Sequence, residues 1–505
     1  MPSDEQSRRK FLRGTALTAL GAGVAGCQSD DVEETTRPPT ETSEPTDTAT
    51  PTSAPSATPT STATATPVPE IVERYGDRFG SIVDLADEGA DLDGAEPIDD
   101  LVTDAIADDT LLYFPTGRYS MGSLDLEGYS NFGFVSLPED DTVITPAIPG
   151  KEMDHLVRFR DASDLLLEGL DLDYTERGYG AVIRLLAHGD FVARDLRIHG
   201  KLPDWNRENK HVGFRFDVRD ESSEGLVERV IARDGGHEGG NGVGIFVGKE
   251  HAGTLTFRDC EIANFPNNGL YASSPGRDTV GYRGSNGVVH VRGGEFVNNN
   301  IANVRIGSTG STVKNVTVRV DKVPPSPTER TLNVRGIRLR ARGNQLVENC
   351  TIEIGENAGM GFGAISYHPE HGSSTIRDTE ISVDCDGFDA IDATDSSNGG
   401  TEEPLLFDNV TITGKATGGA AADIADRHGT KFRNCRIEQS GSDREGIVFT
   451  DSEDCLVADS TIRVTGQAIR THNASVDRVN LTIENPFDAE DARSPAPPDR
   501  YDPPD

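Results

Sequence analysis

Lysine is scarce in this chain. Nine lysines in 505 residues stand against 85 Asp and Glu, and the formal net charge is -37. Phosphate binding needs a basic face, so this balance excludes nucleic acid and anionic membrane surfaces as partners. Long hydrophobic runs are missing too. The one weakly apolar stretch near the N-terminus, Ala16 to Ala25, is too short and too glycine-rich to span about 30 Å of hydrocarbon. Nor is there a Rossmann glycine fingerprint, a P-loop or a zinc-ligand spacing, which removes nucleotide and structural-zinc chemistry. Tryptophan occurs once, at Trp205.

What the chain does have is a repeated six-residue phrase, apolar-x-Asn/Asp-x-x-apolar. Clear copies are Val347-Glu348-Asn349-Cys350-Thr351-Ile352, Phe257-Arg258-Asp259-Cys260-Glu261-Ile262 and Phe432-Arg433-Asn434-Cys435-Arg436-Ile437. Others start at Leu167, Ala193, Val227, Val291, Val313, Ile376, Phe407, Val457 and Val476, so copies recur every 19 to 34 residues, as in a solenoid. Two apolar residues five apart would face opposite sides of an unbroken strand, so a bend must lie between them. The third position supplies it: Gly169, Asp195, Arg229, Asp259, Gly293, Asn315, Asn349, Asp378, Asn409, Asn434, Asp459 and Arg478. Most are types that tolerate the left-handed region. Asn315, Asn349 and Asn409 head Asn-x-Thr sequons, and their place in this column predicts turn residues rather than glycan sites. The sequons at Asn473 and Asn480 stay open.

A variable loop and a third short strand follow each phrase, as in Gly213-Phe214-Arg215-Phe216, Asn303-Val304-Arg305-Ile306 and Gly336-Ile337-Arg338-Leu339. Three strands per coil with inward apolar stacking predict an all-β fold, a right-handed parallel β-helix of about 12 coils. At about 4.8 Å per coil, Cys260, Cys350 and Cys435 share one inward column but lie near 14 Å apart, beyond disulfide reach. With Cys385 and Cys455 they are expected to be five buried free thiols.

The predicted organisation has four parts. Residues 1–27 include Ser7-Arg8-Arg9-Lys10-Phe11-Leu12 and Val24-Ala25-Gly26-Cys27, which resemble a Tat export signal ending in a lipobox whose Cys27 is acylated. Residues 28–69, rich in Thr, Ser and Pro, read as a disordered surface stalk, and 487–505 as a disordered acidic, Pro-rich tail. Residues 70–486 hold the β-helix. The expectation is a monomer on the cell surface, held to the membrane only through its lipid. The lysine-poor acidic composition resembles the surface adaptation of an extreme halophile of haloarchaeal type.

Ala86-Asp87-Glu88-Gly89-Ala90-Asp91, Gly94, an amphipathic segment with Ile98, Leu101, Val102, Ala105 and Ile106 on one face, and then Leu111-Leu112-Tyr113-Phe114-Pro115-Thr116-Gly117-Arg118-Tyr119 follow one another. This series resembles the N-terminal capping helix and first strand of the pectate lyase-like superfamily, the pectin lyase fold. The resemblance implies that a polysaccharide lies on the sheet formed by the third strands, where one residue per coil points outward. By alternation that column is Arg158, Arg184, Arg215, Phe246, Tyr271, Arg305, Arg338, Ser366, Asp392, Ala425, Val448 and Arg470. Guanidinium forks suit carboxylate or sulfate, and aromatics suit sugar faces. The alternative is that each arginine only relieves acidic crowding.

Two loops beside this column carry further candidates. One, from His199 to His211, holds Trp205, Arg207, Lys210 and His211; the other, from Arg233 to Asn241, holds Asp234, His237 and Glu238 as potential acids and bases. Arg277, Asp278, Tyr282 and Arg283 follow Tyr271. Asp384, Asp386, Asp389, Asp392 and Asp395 surround one strand and offer hard oxygen ligands for calcium, with Asp389 and Asp392 at its centre. Polygalacturonase-like signatures are reduced to Gly240-Asn241-Gly242 and Arg305-Ile306-Gly307, and Tyr367-His368-Pro369-Glu370-His371 has the letters of an epimerase motif in another order. The expected function is binding and cleavage of an anionic, uronate-type polysaccharide by β-elimination, with His237, Lys210 or Tyr271 as base. A non-catalytic surface glycan-binding protein is the rival; a glycoside hydrolase or uronate epimerase is a further alternative.

Overall fold

The computed structural model describes residues 69–147, 155–175, 182–202, 212–276, 284–326, 332–394 and 404–484. The leader with Cys27, the stalk, the acidic tail, and Trp205, Arg207, Lys210, His211, Arg277, Asp278, Tyr282, Arg283 and Asp395 lie outside the described residues.

Strands pair in parallel, each with the strand one coil before and one coil after it. This is a right-handed parallel β-helix. Two sheets result, one of 28 strands and one of 13. The smaller positions the candidate site, and its strands are β1 (Leu124–Glu127), β2 (Val157–Arg160), β3 (Ile183–Ala187), β4 (Val212–Val218), β5 (Val243–Phe246), β6 (Asn268–Ala272), β7 (Ala302–Ile306), β8 (Val334–Leu339), β9 (Gly361–Tyr367), β10 (Ile391–Ala393), β11 (Ala420–Ala425), β12 (Glu445–Thr450) and β13 (Ile469–His472).

The core follows from one inward residue meeting its copy in the next coil. Ile245 pairs with Leu270, Leu270 with Val304, Val304 with Ile337, Ile337 with Ile365 and Ile365 with Ile391. All six side chains are fully buried. Each such burial is worth roughly 1.5–3 kcal/mol, and the stack continues without a break along the axis. Ile352, from the repeated phrase, is equally buried.

The bend column behaves as its residue types require. From Gly169 to Asp459 every member has φ between +49° and +75°. The last copy is out of register. Arg478 pairs with Val457, and Asn480 takes the bend at φ +48° and donates its side-chain amide to Asp459 at 2.8 Å. Similar bonds link Asn349 to Asn315 and Asn409 to Asp378, both at 2.7 Å. Asn434 instead reaches Asp408 at 2.7 Å. Asn473 also donates to the coil below, to Asp451 at 2.7 Å, so the two open sequons occupy ladder positions as well.

Cys260, Cys350, Cys385, Cys435 and Cys455 are buried and free. Burial pushes the Cys260 thiol up to about 12 and that of Cys350 to about 11, consistent with packing residues. Helix α1 (Pro69–Tyr75) lies on the outside of the larger sheet, where Ile71 and Tyr75 cover Leu111, Val135 and Leu166. Helix α2 (Asp99–Ala105) turns Val102 into the main core with Ile98 and Ile106 at its ends, while Leu101 and Ala105 are partly buried against it.

Candidate functional site

The outward residues of the 13-stranded sheet form one row in exact register. It starts at Asp125, which pairs with Arg158, and runs through Arg184, Arg215, Phe246, Tyr271, Arg305 and Arg338. It continues through Ser366, Asp392, Asp423 and Val448 to Arg470. One expected member is corrected. Ala425 sits two residues further along β11, at Thr450, because Asp423 is the residue opposite Asp392.

Arg158 and Arg215 of this row have carboxylate partners. Arg158 grips Asp125 with both prongs, at 2.5 and 2.6 Å. Arg215 bonds Asp217, a carboxylate with no solvent exposure, at 2.9 Å, and Asp217 also accepts the Gly248 backbone N–H. Arg470, at the far end, pairs with Glu445 at 3.1 Å. For these rungs the relief of acidic crowding is a sufficient account. Arg215 also lies 5.6 Å from the Phe246 ring, which meets the Tyr271 ring at a 50° tilt with centroids 5.3 Å apart.

The centre of the row is different in kind. Tyr271 is 1% exposed and forms a platform 4.3 Å beneath the Arg305 guanidinium, so it is not the accessible base that the sequence suggested. Arg305, Arg335, Arg338 and Arg340 are all buried. Arg335 stands 4.2 Å over Phe362 and bonds the Ile301 carbonyl, Asn333 and the Ser366 hydroxyl. Arg338 is 8% exposed, its Nε has no hydrogen-bond partner, and no carboxylate among the described residues pairs with it. Burial, and then Arg335, Arg305 and Arg340, all oppose its positive charge. A guanidinium nonetheless keeps its proton. A buried charge of this kind costs several kcal/mol until an anion joins it. Burial and the same four arginines also hold His368 neutral, and its Nδ1 accepts the Glu370 backbone N–H at 3.3 Å, leaving Nε2 as a donor.

Immediately C-terminal in the row the charge reverses. Asp392 is opposite Ser366 and next to Asp423, while Asp389 lies three residues earlier, just before the same strand. Burial raises Asp392 to about 6 against the hydrogen bonds of Thr394 and the field of Arg335. Burial and the charges of Asp423 and Asp392 raise Asp389 to about 7, with Arg444 opposing. Both residues are half-buried. Fully buried Arg444 fixes this corner by donating to the Phe388 and Gly418 carbonyls at 2.9 and 2.6 Å. Gly419, at φ +66°, leaves the space: a Cβ there would lie 2.8 Å from Arg444 and 2.9 Å from the Asp389 carboxylate.

Asp389 and Asp392, expected as calcium ligands, each have one oxygen that accepts a backbone N–H. Among the described residues no three His, Cys, Asp or Glu side chains are grouped to hold a metal ion.

The glycine-rich loop stands apart. Asp234 accepts the Gly200 N–H at 2.8 Å, and the exposed His237 ring contacts the Glu238 carbonyl at 2.6 Å. No hydrogen bond or ion pair among the described residues joins Asp234, His237 or Glu238 to an arginine of the row. Arg335, His368 and Asp423 are additions that sequence reasoning missed. Arg335 lies just after a register shift between β8 and β9, and its Nε donates to the Ser366 hydroxyl of the row at 3.3 Å. Asp423 had a legible signal, since Ala422 and Ile424 on either side of it are both buried.

No family model matches this chain, and no curated protein sequence matches it. Solved structures similar to it include the A-module of a mannuronan C-5 epimerase from Azotobacter vinelandii, 15% identical over 80% of this chain and 100% of that one, with a TM-score of 0.40. The surface protein and adhesin PfbA of Streptococcus pneumoniae matches at 13% identity over 80% and 100% of the two chains, with a TM-score of 0.40. An exopolygalacturonase from Thermotoga maritima matches at 14% over 82% and 95%, with a TM-score of 0.37. The likeness is one of fold, and the chemistry of the site is read from its own residues.

Proposed function

We propose that this protein is an exported, lipid-anchored enzyme that binds an anionic, uronate-type polysaccharide along the outward row and cleaves it by β-elimination. The observation that carries this reading is the meeting at β8 to β10 of Arg338, buried with no hydrogen bond to its Nε, and, two rungs on, Asp392 with Asp389. Arg338, Arg335 and Arg305 would hold the uronate carboxylate and stabilise the carbanion character that develops beside it. Asp392, ionised near neutrality, would take the proton from the carbon bearing that carboxylate. The electron pair forms the new double bond as the glycosidic carbon–oxygen bond breaks, and protonated Asp389 donates to the leaving oxygen.

Export and anchoring rest on the twin-arginine pair and Cys27 of the sequence. The test is to incubate protein purified in high salt with acidic polysaccharides and to measure binding and unsaturated product for the parent, R338Q and D392N. Unsaturated ends from the parent and neither variant support the reading. Saturated products would assign hydrolysis, which three neighbouring carboxylates also favour. Binding without any product would make the protein a glycan-binding one.

A further inference from the structure

Arg335 and Arg338 set two positive charges at successive rungs of one face. Arg338 occupies its own rung of the row, and its Nε has no hydrogen-bond partner. Arg335 reaches the next rung, where its Nε donates to the Ser366 hydroxyl at 3.3 Å and its guanidinium stands 4.2 Å over Phe362. Its other bonds go to the Ile301 carbonyl and to Asn333, so the groups it bonds are all neutral. The two arginines are only 6% and 8% exposed, and neither pairs with a carboxylate among the described residues. One carboxylate from a ligand would offset one of these charges and leave the other buried and uncompensated.

A plain uronate chain does not bring the second anion to this place. Rungs lie about 4.8 Å apart, close to the advance of one sugar, and an extended uronate chain turns successive carboxylates to different sides. The donors at the Ser366 rung also approach from opposite ends of β9: Arg335 over Phe362 near its start, and the Nε2–H of His368 just past its end. A carboxylate offers two oxygens in one plane, whereas a sulfate ester offers three in a tetrahedral array and so accepts from both sides. Its spread charge also holds water less tightly, which lowers the cost of entering a buried site. We propose that the polysaccharide is sulfated, with a sulfate ester at the Ser366 rung between Arg335 and His368 and the uronate carboxylate one rung earlier at Arg338. This inference rests on the functional reading above and narrows it, giving Arg335 to a second anion.

The experiment measures binding to the parent protein at one fixed salt concentration. Dextran sulfate is compared with carboxymethyl dextran of equal length and charge density; neither contains a uronate, so neither is consumed by elimination. Chondroitin sulfate is compared with chondroitin, which differs only in lacking the sulfate beside the uronate, and both are read before the first turnover is complete. On a chain of net charge -37 a polyanion is repelled except where arginines face it, so binding reports on this row. The sulfated member of each pair is expected to bind at least about tenfold more tightly. R335Q should abolish that preference and H368A should narrow it, with thermal unfolding as the check that each variant is folded; H368A decides if R335Q is not. Equal or tighter binding of carboxymethyl dextran or unsulfated chondroitin, or a preference that the folded variants leave unchanged, would overturn the inference while the uronate reading stands. Failure of all four polymers to bind would overturn both.

Discussion

Arg215 and Arg338 occupy the same row of the same sheet, four rungs apart, and face opposite electrostatic circumstances. Arg215 is paired with a buried carboxylate that needs it, and the pair is satisfied within the protein. Arg338 is more deeply buried, surrounded by other arginines and without a carboxylate. An arginine row on an acidic protein can thus hold a paired charge at one end and a buried one without a carboxylate in the middle. Position in a repeat does not decide which; the partners do.

The largest expected effect separates these two arginines. Replacing Arg338 by Gln should lower turnover on the best acidic polymer by about 100-fold or more, since a donor to developing negative charge is lost. Its stability should stay level or rise by about 1 kcal/mol, because an uncompensated buried charge goes with it. Arg215→Gln should do the reverse. It strands Asp217 in the interior, so denaturant unfolding should show a loss of about 3 kcal/mol, with turnover of the folded fraction reduced less than about tenfold. If both variants lose stability alike, the contrast between the rungs is wrong.

A smaller effect comes from the acidic neighbours. Asp389 has an ordinary value of 3.8, raised to about 7 in the folded chain. Between these limits the native state holds a proton that the unfolded state has released, so stability falls as pH rises through the window and the full penalty is present above about 7. Asp389→Asn mimics the protonated form and can still accept the Ala420 N–H. It should match the parent near pH 4 and exceed it by on the order of 1–2 kcal/mol near pH 8, as read from thermal unfolding at the two pH values. Turnover of the parent should peak between about 6 and 7, where Asp392 is ionised and Asp389 still protonated, and this bell should vanish in D389N.

Much of this architecture was legible because a solenoid writes the same physical demand many times. The bend at each coil needs a left-handed residue, so Asn349, Asp378 and Asn409 announce it, and alternation around buried Ile337 and Leu339 places Arg338 outward. The reading failed where a local irregularity broke the period. A register shift interrupts β8 and β9 beside Arg335, and the final copy slipped by two, moving the bend from Arg478 to Asn480. Burial was the other blind spot. Alternation says that Tyr271, Arg305 and Arg338 point away from the core, but not that they are covered, so the sequence suggested an accessible base at Tyr271 and treated all six arginines as equivalent. The carboxylates show the same gap, since nothing in the spelling of Asp389 and Asp392 tells that burial raises both above the ordinary carboxylate range.

The smallest effect belongs to Arg158, and salt is what exposes it. Its pair with Asp125 is bidentate but partly open to solvent, with side chains 25% and 42% exposed, so its net worth is about 0–1 kcal/mol. Arg158→Gln should therefore cost less than about 1 kcal/mol in dilute buffer. At about 1 M salt, where screening acts over roughly 3 Å, the cost should disappear. The stability difference between R338Q and its parent should survive the same salt, because the arginines around it are buried and poorly screened. Thermal unfolding of R158Q and R338Q across a salt series checks both statements. A difference for R158Q that persists at high salt would mean that the outer rungs carry buried charge too, and the contrast between Arg158 and Arg338 would fail.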